Sequence, residues 1–511
     1  MELNRRNFLL GGAAASLAAG HALADAPKPP RTRAAGEKPT LALIGMGIQA
    51  RGLLHQFLGQ DILVTGICDV DKIRRERGVQ TVENYYQSRP VLKIPKGVCR
   101  GYSDFREVLV NPGIDMVCVA TPDHWHAYIT VEAMKAGKDV YCEKPMAYSI
   151  AEIKSIIATQ KKTGRVFQTG SMQRSWPVFR TACMVVRNGG IGTVTHVDAN
   201  YGRGGQKLGG PSHPVRFWDV PENAATEGAP NPDVDWDMWL GPAKWRPYSD
   251  QLAPRGVNEF YPMFWRFDDD IGSGYNGDWG AHHLDIAQWG MGMDRSGPYR
   301  IVRSDEPHST DLFHGGRRQF GMRMMFHGPD GGDIELYHGP FGVWGTVFYG
   351  TDGVVAVNRG KIAVWTGTGP VVPTPEIRAA IEDASFRPDC LVASSVGKDY
   401  GTDATDKKDD ALEAALAAIN ARFALDTAPV QLYSSPEQVR NFVQCHFSRA
   451  ETISPAETGG RSGALCLLCN MSYVHDTGFD WDPAAMDFAN GTGKGISLGR
   501  DRARNGWEVK A

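Results

Sequence analysis

The sequence predicts an α/β domain with a doubly wound parallel sheet, followed by a second domain that is rich in strands. Short apolar runs alternate with helix-like segments between residues 40 and 169, and this alternation is typical of parallel sheets covered by helices on both faces. A Gly-x-Gly-x-x-Ala pattern follows the first apolar run. Beyond residue 193, strand-like segments are separated by glycine-rich turns.

Length, charge and cysteine usage limit the class of protein. The 511 residues allow two or three domains, and the 42% of hydrophobic residues can form a large core. The formal net charge of −3 gives no reason to expect nucleic acid as a partner. The nine cysteines show neither a disulfide framework nor the spacing of a zinc site. We therefore expect core thiols, including Cys466 and Cys469, and no metal.

The N-terminal segment resembles an export signal. Arg5 and Arg6 precede the mildly apolar stretch 8–19, and residues 22–24 form a small-x-small cleavage site. Paired arginines in this position are typical of twin-arginine signals. Residues 1–24 are therefore predicted to direct export by the twin-arginine translocase, to the periplasm or beyond. A Sec signal or a membrane anchor is the alternative, but the apolar run is too short to span a bilayer and we expect no stable membrane anchor.

The first apolar run leads into a dinucleotide-binding fingerprint. Residues 40–44 are predicted to form a buried strand, and Gly45-Met-Gly-Ile-Gln-Ala50 follows directly. Gly45 permits the tight turn, and Gly47 lets the backbone approach a pyrophosphate. Ile48 begins the following helix, whose N-terminal N–H groups face the phosphates. A strand, a fingerprint and a helix in this order predict a Rossmann domain.

An acidic residue closes the next strand of this unit. The apolar run 62–68 ends in Asp69, 24 residues after Gly45. Its carboxylate can accept hydrogen bonds from the adenosine ribose and would repel a 2′-phosphate, which favours NAD. Arg74 and Arg75 follow closely and could tolerate that phosphate, so NADP is the open alternative.

The alternation then continues to the end of the domain. The remaining segments are helix 103–110, strand 114–119, helix 123–136, strand 138–142, helix 149–163 and strand 166–169. Ligands bind at the carboxyl ends of parallel strands. The cofactor-binding residues predicted near these ends are Thr121, Pro122, His124, His126, Glu143, Lys144 and Gln173.

At this point the chain resembles a known family, the Gfo/Idh/MocA oxidoreductases, which include glucose–fructose oxidoreductase and inositol dehydrogenase. The match is carried by the fingerprint at 45–50, Thr121-Pro-Asp-His-Trp-His126, Glu143-Lys-Pro145 and Asp278-Trp-Gly-Ala-His282. The resemblance implies an NAD(P)-dependent oxidoreductase. It also implies an α+β C-terminal domain with a large, mostly antiparallel open sheet that faces the nicotinamide. Because such sheets commonly pack against a partner, a homo-oligomer is expected.

The domain plan follows from these elements. A linker at 25–38 precedes the Rossmann domain at 39–170, and the α+β substrate and oligomerisation domain spans 171–490. Residues 377–426 are a possible insertion relative to the family, and 491–511 form a tail. The strand-like segments of the second domain are 194–201, 319–326, 333–337, 343–349 and 361–365.

Three residues are predicted to be catalytic. Oxidation of an alcohol requires a base, a group that polarises the oxygen and a fixed nicotinamide. Lys144 can hydrogen-bond the reacting oxygen. His282 is the candidate general base because its intrinsic pKa lies near working pH, and Asp278, on the same helix face, binds a substrate hydroxyl or orients His282. A surface lysine and a structural histidine are the alternatives, while His283 and Asp285 are expected to help bury the helix.

Substrate-binding residues are predicted from aromatic and cationic segments. Tyr261 and Arg266 bound an aromatic stretch just before the Asp-x-x-x-His motif, and aromatic faces beside polar groups suit the C–H faces of sugars. Arg174 is predicted either to line this pocket or to make a structural ion pair. Trp236 and Trp239 are interpreted as a structural anchor.

The predicted function combines export with a nicotinamide cofactor. An exported enzyme meets no large pool of free NAD, so the cofactor is expected to be tightly bound and recycled within the enzyme. The substrate is predicted to be a sugar, cyclitol or related polyol. An NAD-dependent glycoside hydrolase or lyase that acts through transient oxidation is the alternative, although Glu143-Lys-Pro145 favours a dehydrogenase. The alternative of another class is an inactive sugar-binding paralogue.

Overall fold

The computed structural model places two sheets in separate halves of the chain. The residues that it describes are 36–200, 229–257, 264–268, 270–274, 276–303, 321–339, 344–382, 386, 410–435, 437–499 and 503–510. The predicted signal peptide and Tyr261 lie outside these residues. None of the helices in the described part of the chain is long and apolar enough to cross a membrane.

The first sheet has six parallel strands in the order β3-β2-β1-β4-β5-β6. Their bounds are β1 Thr40–Ile44, β2 Leu63–Cys68, β3 Arg100–Tyr102, β4 Met116–Val119, β5 Asp139–Cys142 and β6 Phe167–Thr169. The central strands β1, β4 and β5 are fully buried, as strands covered on both faces must be. The order reverses between β1 and β4, and this switch point opens a crevice for a ligand. The prediction of a Rossmann sheet is confirmed.

Five helices connect these strands. Their bounds are α1 Ile48–Leu58, α2 Lys72–Gln87, α3 Phe105–Val110, α4 Asp123–Lys135 and α5 Ile150–Thr163. The Asp71 carboxylate caps α2, and a capping box between Ser149 and Glu152 begins α5. At α1, by contrast, no side chain among the described residues caps the N-terminus.

The second sheet has nine strands in the order β13-β12-β11-β7-β10-β9-β8-β14-β15. Only the β7–β10 pair is parallel, which confirms a large, mostly antiparallel sheet. The bounds are β7 Val194–Ala199, β8 Arg300–Val302, β9 Met322–His327, β10 Asp333–His338, β11 Thr346–Gly350, β12 Gly353–Asn358, β13 Lys361–Thr366, β14 Phe479–Asp482 and β15 Asp487–Phe488.

Helices cover this sheet and join it to the first domain. Their bounds are α6 Pro177–Arg187, α7 Trp236–Leu240, α8 Ala281–Met291, α9 Pro375–Glu382, α10 Asp410–Phe423, α11 Gln438–Ser448 and α12 Ala456–Val474. One π-helical turn, Asn276–Gly280, precedes α8 directly. Helix α12 packs against α5 and α8 and so links the two domains. The eight described cysteines, Cys466 and Cys469 included, are buried free thiols.

Candidate active site

A cavity of about 650 Å³ lies at the carboxyl ends of the parallel strands and extends to the second domain. It has two ends, which we name by their residues. The Asp69 end is formed by the first domain, and its lining includes Gly45, Met46, Gly47, Ile48, Asp69 and Arg74. The Lys144 end is formed by both domains, and its lining includes Lys144, Arg266, Asp278, Trp279, His282 and Arg359.

The turn after β1 accepts only glycine at its first position. Gly45 has φ +92°, a region that side chains rarely adopt. A Cβ there would also lie 2.6 Å from the carbonyl oxygen of Ala120, at the end of β4. The close approach of the turn to β4 therefore depends on this residue.

The second glycine of the fingerprint leaves space rather than filling it. A Cβ on Gly47 would meet no atom within 4 Å among its surroundings, so the packing of the protein itself does not require glycine there. The uncapped N-terminus of α1 begins at this residue. Nearby in the lining, the buried Thr121 Oγ1 has no hydrogen-bond partner within the described ranges. Open space, free N–H groups and a vacant hydroxyl together fit the phosphates of a dinucleotide.

Asp69 follows β2 and faces the same end of the cavity. Its Oδ2 accepts from the Met46 backbone N–H at 2.7 Å, and its Oδ1 accepts from the Asp71 N–H at 2.8 Å. Burial raises the pKa of Asp69, and Arg74 opposes this rise. Arg74 itself bonds the Asp71 carboxylate and donates to the Pro254 carbonyl at 2.8 Å. The carboxylate is thus fixed by backbone groups with lone pairs left for ribose hydroxyls.

At the Lys144 end, one carboxylate holds two cations. Lys144 Nζ lies 2.7 Å from Asp278 Oδ1 and 2.9 Å from the Asp278 carbonyl oxygen. Arg266 Nε lies 3.3 Å from Asp278 Oδ2. Lys144 follows β5 and is joined to Pro145 by a cis peptide bond, whereas Asp278 lies in the π-helical turn. Single π-turns are frequent at functional sites.

His282 lies in the first turn of α8 and also lines the cavity. Its Nδ1 is buried and has no hydrogen-bond partner in the described part of the chain. Burial lowers the pKa of His282 well below its ordinary value, and the cations Lys144 and Arg359 lower it further. The expected pKa near working pH is therefore wrong. The Asp278 carboxylate bonds Lys144 and Arg266 rather than orienting this imidazole.

Arg359 is a residue that the sequence did not single out. It lies in the turn between β12 and β13, yet it is buried and lines the cavity. Its guanidinium lies 4.6 Å from the centre of the Trp279 ring. With its amide oriented to satisfy both neighbours, Gln173 accepts from Arg359 Nε at 3.1 Å and donates to the His282 carbonyl at 3.0 Å. Gln173 thus supports the site from behind the cavity wall.

The other predicted cofactor residues fall into two groups. His126 Nδ1 lies 2.7 Å from the Pro145 carbonyl oxygen and its Nε2 lies 2.8 Å from that of Thr121, so this ring joins the loops after β4 and β5. Pro122 and Glu143 line the cavity, and burial raises the pKa of Glu143. His124 is not among the lining residues, because its Nε2 bonds the Trp239 carbonyl at 3.0 Å.

Arg174 resolves to the structural alternative. It is 2% exposed and lies 2.8 Å from Asp285 and 2.7 Å from Asp294. Burial disfavours its charge, but the two carboxylates outweigh burial and raise the pKa of Arg174. The prediction that it binds substrate is wrong, since both partners lie outside the cavity lining. In the part of the chain that the structure describes, no group of three or more His, Cys, Asp or Glu is placed to hold a metal ion.

The fold and cavity define a two-domain oxidoreductase with a dinucleotide-type site. Residues 40–171 match the model of the oxidoreductase family, NAD-binding Rossmann fold, and residues 214–337 match that of its C-terminal alpha/beta domain. These two matches together span half of the chain. The chain belongs to the Gfo/Idh/MocA family of oxidoreductases.

Individual relatives agree with this assignment. A glycosyl hydrolase family 109 protein from Shewanella sp. (strain ANA-3) is 31% identical over 165 residues, which are 32% of this chain and 34% of that protein. The curated relatives are matched over 27% to 48% of their own length.

Solved structures share the fold over most of the chain. The WlbA dehydrogenase from Bordetella pertussis, in complex with NADH and UDP-GlcNAcA, has a TM-score of 0.52 at 14% identity and covers 88% of this chain and 99% of its own. The aldose-aldose oxidoreductase from Caulobacter crescentus, complexed with glycerol, has a TM-score of 0.50 at 17% identity and covers 87% and 100%.

Proposed function

We propose that this protein is an exported oxidoreductase that transfers hydride between a tightly bound nicotinamide cofactor and a hydroxyl-bearing carbon of a sugar, cyclitol or related polyol. One observation carries the proposal. The cluster of Lys144, Asp278 and His282 opens into the same cavity as Gly47 and Asp69. A dinucleotide held at the Asp69 end and a substrate at the Lys144 end would share one enclosed space.

Lys144 is proposed to polarise the reacting oxygen. An ammonium has three N–H donors, and Asp278 takes two of them through its carboxylate and its carbonyl. The third donor is then available to a substrate oxygen. As the hydroxyl loses its proton, the positive charge of Lys144 stabilises the developing alkoxide.

His282 is proposed to exchange the hydroxyl proton. Because its pKa is depressed, the imidazole is neutral at neutral pH and has an unprotonated ring nitrogen that can accept a proton. The same depression makes the imidazolium a ready donor for the reverse reaction. When bound, the nicotinamide supplies the hydride acceptor or donor.

The substrate end suits a polyhydroxylated ring. Trp265 and Trp279 offer apolar faces, and Arg266 and Arg359 offer N–H donors beside them. Aromatic faces bind C–H surfaces, while fixed donors select hydroxyl positions. The glycerol complex of the Caulobacter crescentus oxidoreductase is consistent with a polyol class.

NAD is proposed as the cofactor rather than NADP. Asp69 would repel a 2′-phosphate, and Arg74 is turned toward the Asp71 carboxylate and the Pro254 carbonyl. Arg75 donates to the Asp69 carbonyl at 2.5 Å and is not part of the cavity lining. Neither arginine is directed at a phosphate on the ribose.

The Arg5-Arg6 signal supports a resident cofactor. Twin-arginine export carries folded proteins, so a dinucleotide bound in the cytoplasm can travel with the enzyme. Outside the cytoplasm, the reduced cofactor would be reoxidised by a second substrate or by the same substrate after a further step.

The second of these cycles is the alternative function. Relatives of the glycosyl hydrolase family 109 favour a redox-neutral glycoside hydrolase, in which transient oxidation activates a bond for cleavage. An inactive sugar-binding paralogue is less well supported, because Lys144, Asp278 and His282 are all present and meet in one cavity.

The test is to purify the protein from the periplasm and identify bound dinucleotide by mass spectrometry. Sugars, cyclitols and aryl glycosides are then screened for a change in nicotinamide absorbance and for glycoside cleavage. The proposal expects stoichiometric NAD(H) and an absorbance change with a polyol. Cleavage with no net redox change would select the glycosidase alternative. Protein that contains no dinucleotide and turns over only with added NAD would overturn the resident cofactor.

A further inference from the structure

Residues 229–257, which we call the strap, cross the Asp69 end of the cavity. They come from the second domain and lie against the first. Their contributions to the cavity lining are Val234, Met238, Trp239, Leu252 and Ala253. The strap therefore closes the end where the adenosine half of a dinucleotide would be held.

One edge of the strap is attached beside Asp69. Val234 forms an antiparallel bridge with Asp71, two residues beyond that carboxylate. Backbone hydrogen bonds of 2.8 and 3.1 Å flank the bridge. Further along, the Pro254 carbonyl accepts from Arg74 Nη2 at 2.8 Å. These contacts tie the strap to the connection between β2 and α2.

The other edge rests on α4. Trp125 Nε1 donates to the carbonyls of Met238 and Trp239 at 3.0 and 3.2 Å. Gly241, with φ +48°, brings the backbone against the indole, and a Cβ there would lie 2.1 Å from the Trp125 ring. The strap is thus fixed on both sides of the crevice.

The C-terminal tail, residues 503–510, holds the strap from outside. The Arg504 guanidinium donates to the Ala243 carbonyl at 3.0 Å, to the Asp237 carbonyl at 2.9 Å and to the Asp237 carboxylate. Its backbone N–H donates to the Pro242 carbonyl at 3.2 Å. One residue of the tail therefore binds three consecutive parts of the strap.

Trp507 anchors the tail to the first domain. Its ring centre lies 4.9 Å from that of Trp125, 5.1 Å from Tyr128 and 6.0 Å from Phe105. Phe105 and Trp125 themselves line the cavity. The tail therefore contacts both the strap and the cavity wall, although it lies beyond both family matches.

We propose that the strap and the tail form a clasp that retains the dinucleotide, and that Arg504 and Trp507 are the positioning residues that keep it closed. The inference rests on the proposed function, because it takes a nicotinamide dinucleotide as the ligand of the cavity. A dehydrogenase that exchanges its cofactor at each turnover needs an open exit. A clasp held at three places instead makes release depend on breaking several contacts at once, which slows dissociation.

The test measures NADH dissociation. Purified full-length protein is loaded with NADH and mixed with excess NAD⁺, and loss of NADH fluorescence gives the rate. Arg504→Ala should release NADH roughly tenfold faster, because it loses several charge-assisted hydrogen bonds. Trp507→Ala should act in the same direction. Arg504→Lys, which keeps the cation beside Asp237, should fall between Arg504→Ala and wild type.

A matched control and a second readout separate this role from general destabilisation. Arg295→Ala removes an exposed ion pair with Glu451 and should leave the dissociation rate unchanged. Hydrogen–deuterium exchange without cofactor should rise at residues 236–243 in Arg504→Ala and remain unchanged in Arg295→Ala. If Arg504→Ala does not fold, Arg504→Lys and Trp507→Phe give the same comparison.

Two failures have different meanings. If wild-type protein binds no nicotinamide dinucleotide, the proposed function itself fails. If wild type retains NADH but the folded Arg504 and Trp507 variants release it at the wild-type rate, the clasp is overturned while the function stands.

Discussion

The two ends of the cavity are built in different ways. The Asp69 end comes from one stretch of chain, residues 44–71, and presents mainly backbone groups: the Gly45 turn, the open N-terminus of α1 and the N–H groups that fix Asp69. The Lys144 end brings together side chains from segments more than 100 residues apart. Many weak contacts therefore hold the first end, whereas a few charged groups determine the second.

This difference predicts unequal sensitivity to single substitutions. Removing one side chain from the Lys144 end should abolish most of the chemistry and spare dinucleotide binding. A comparable change at the Asp69 end should weaken binding modestly, because the backbone contacts remain.

Lys144→Met gives the largest expected effect. The variant loses the cation that would stabilise an alkoxide, and it leaves the buried Asp278 carboxylate with Arg266 alone. Turnover should fall roughly 10³-fold, within the range for loss of a catalytic charge or proton donor. Steady-state kinetics with the substrate found in the screen would measure this, and mass spectrometry would show that dinucleotide is still bound.

A surface lysine provides the control for that experiment. Lys161 is 71% exposed and pairs with Glu457, so Lys161→Met should retain wild-type turnover. Retention of more than a tenth of the activity by Lys144→Met, an outcome set against the 10³-fold expectation, would remove Lys144 from the proposed chemistry.

Arg359→Gln gives a smaller effect with a pH signature. Arg359 is one of the cations that lower the pKa of His282. Proton transfer requires neutral His282, so activity is lost as pH falls through that pKa, below the ordinary histidine range. Without the guanidinium the pKa rises, and the acid limb of kcat/KM should move to higher pH. At neutral pH, kcat/KM should fall roughly 30-fold, the equivalent of about 2 kcal/mol for a lost charged hydrogen-bond donor.

Arg300→Gln is the matched control for the pH profile. Arg300 is exposed on β8 and pairs with Asp480, away from the cavity lining. Its profile should coincide with that of wild type. An acid limb that stays in place in Arg359→Gln, or moves to lower pH, would show that Arg359 does not act on His282.

The same contrast explains what the sequence could predict. Gly45, Gly47 and Asp69 act through local turn and strand geometry, which a fingerprint contains. The spacing of Asp278 and His282 was readable because both lie within one helical segment. Arg359 was not, since a turn between two strands normally exposes an arginine, and only tertiary packing against Trp279 turns this one inward.

Two wrong assignments have the same physical origin. Arg174 follows a strand near the cofactor, but its partners, Asp285 and Asp294, are more than 100 residues away and pull the guanidinium into the core. His124 belongs to the same motif as His126, yet the helix turns one ring toward Trp239 and the other toward the loops after β4 and β5. A motif shared along the chain thus specifies residue types without specifying which of them reach the cavity.

Asp69→Ser should give the smallest effect. The variant loses the carboxylate that would bind ribose hydroxyls, while the Gly45 turn and the N-terminus of α1 remain. Affinity for NAD⁺ should fall only about fivefold, corresponding to roughly 1 kcal/mol for one hydrogen-bonding group. Affinity for NADP⁺ should rise relative to NAD⁺, because the charge that repels a 2′-phosphate is gone. Calorimetric titration of cofactor-free protein with each dinucleotide measures both quantities.

Asp61→Asn serves as the control, since Asp61 is 79% exposed and pairs with Lys38 at the surface. It should bind both dinucleotides as wild type does. A folded Asp69→Ser protein that no longer binds NAD⁺ at all would contradict the contrast between the two ends. In that case a single side chain, rather than the backbone of residues 44–71, would carry the dinucleotide site, and the Asp69 end would be as dependent on one charge as the Lys144 end.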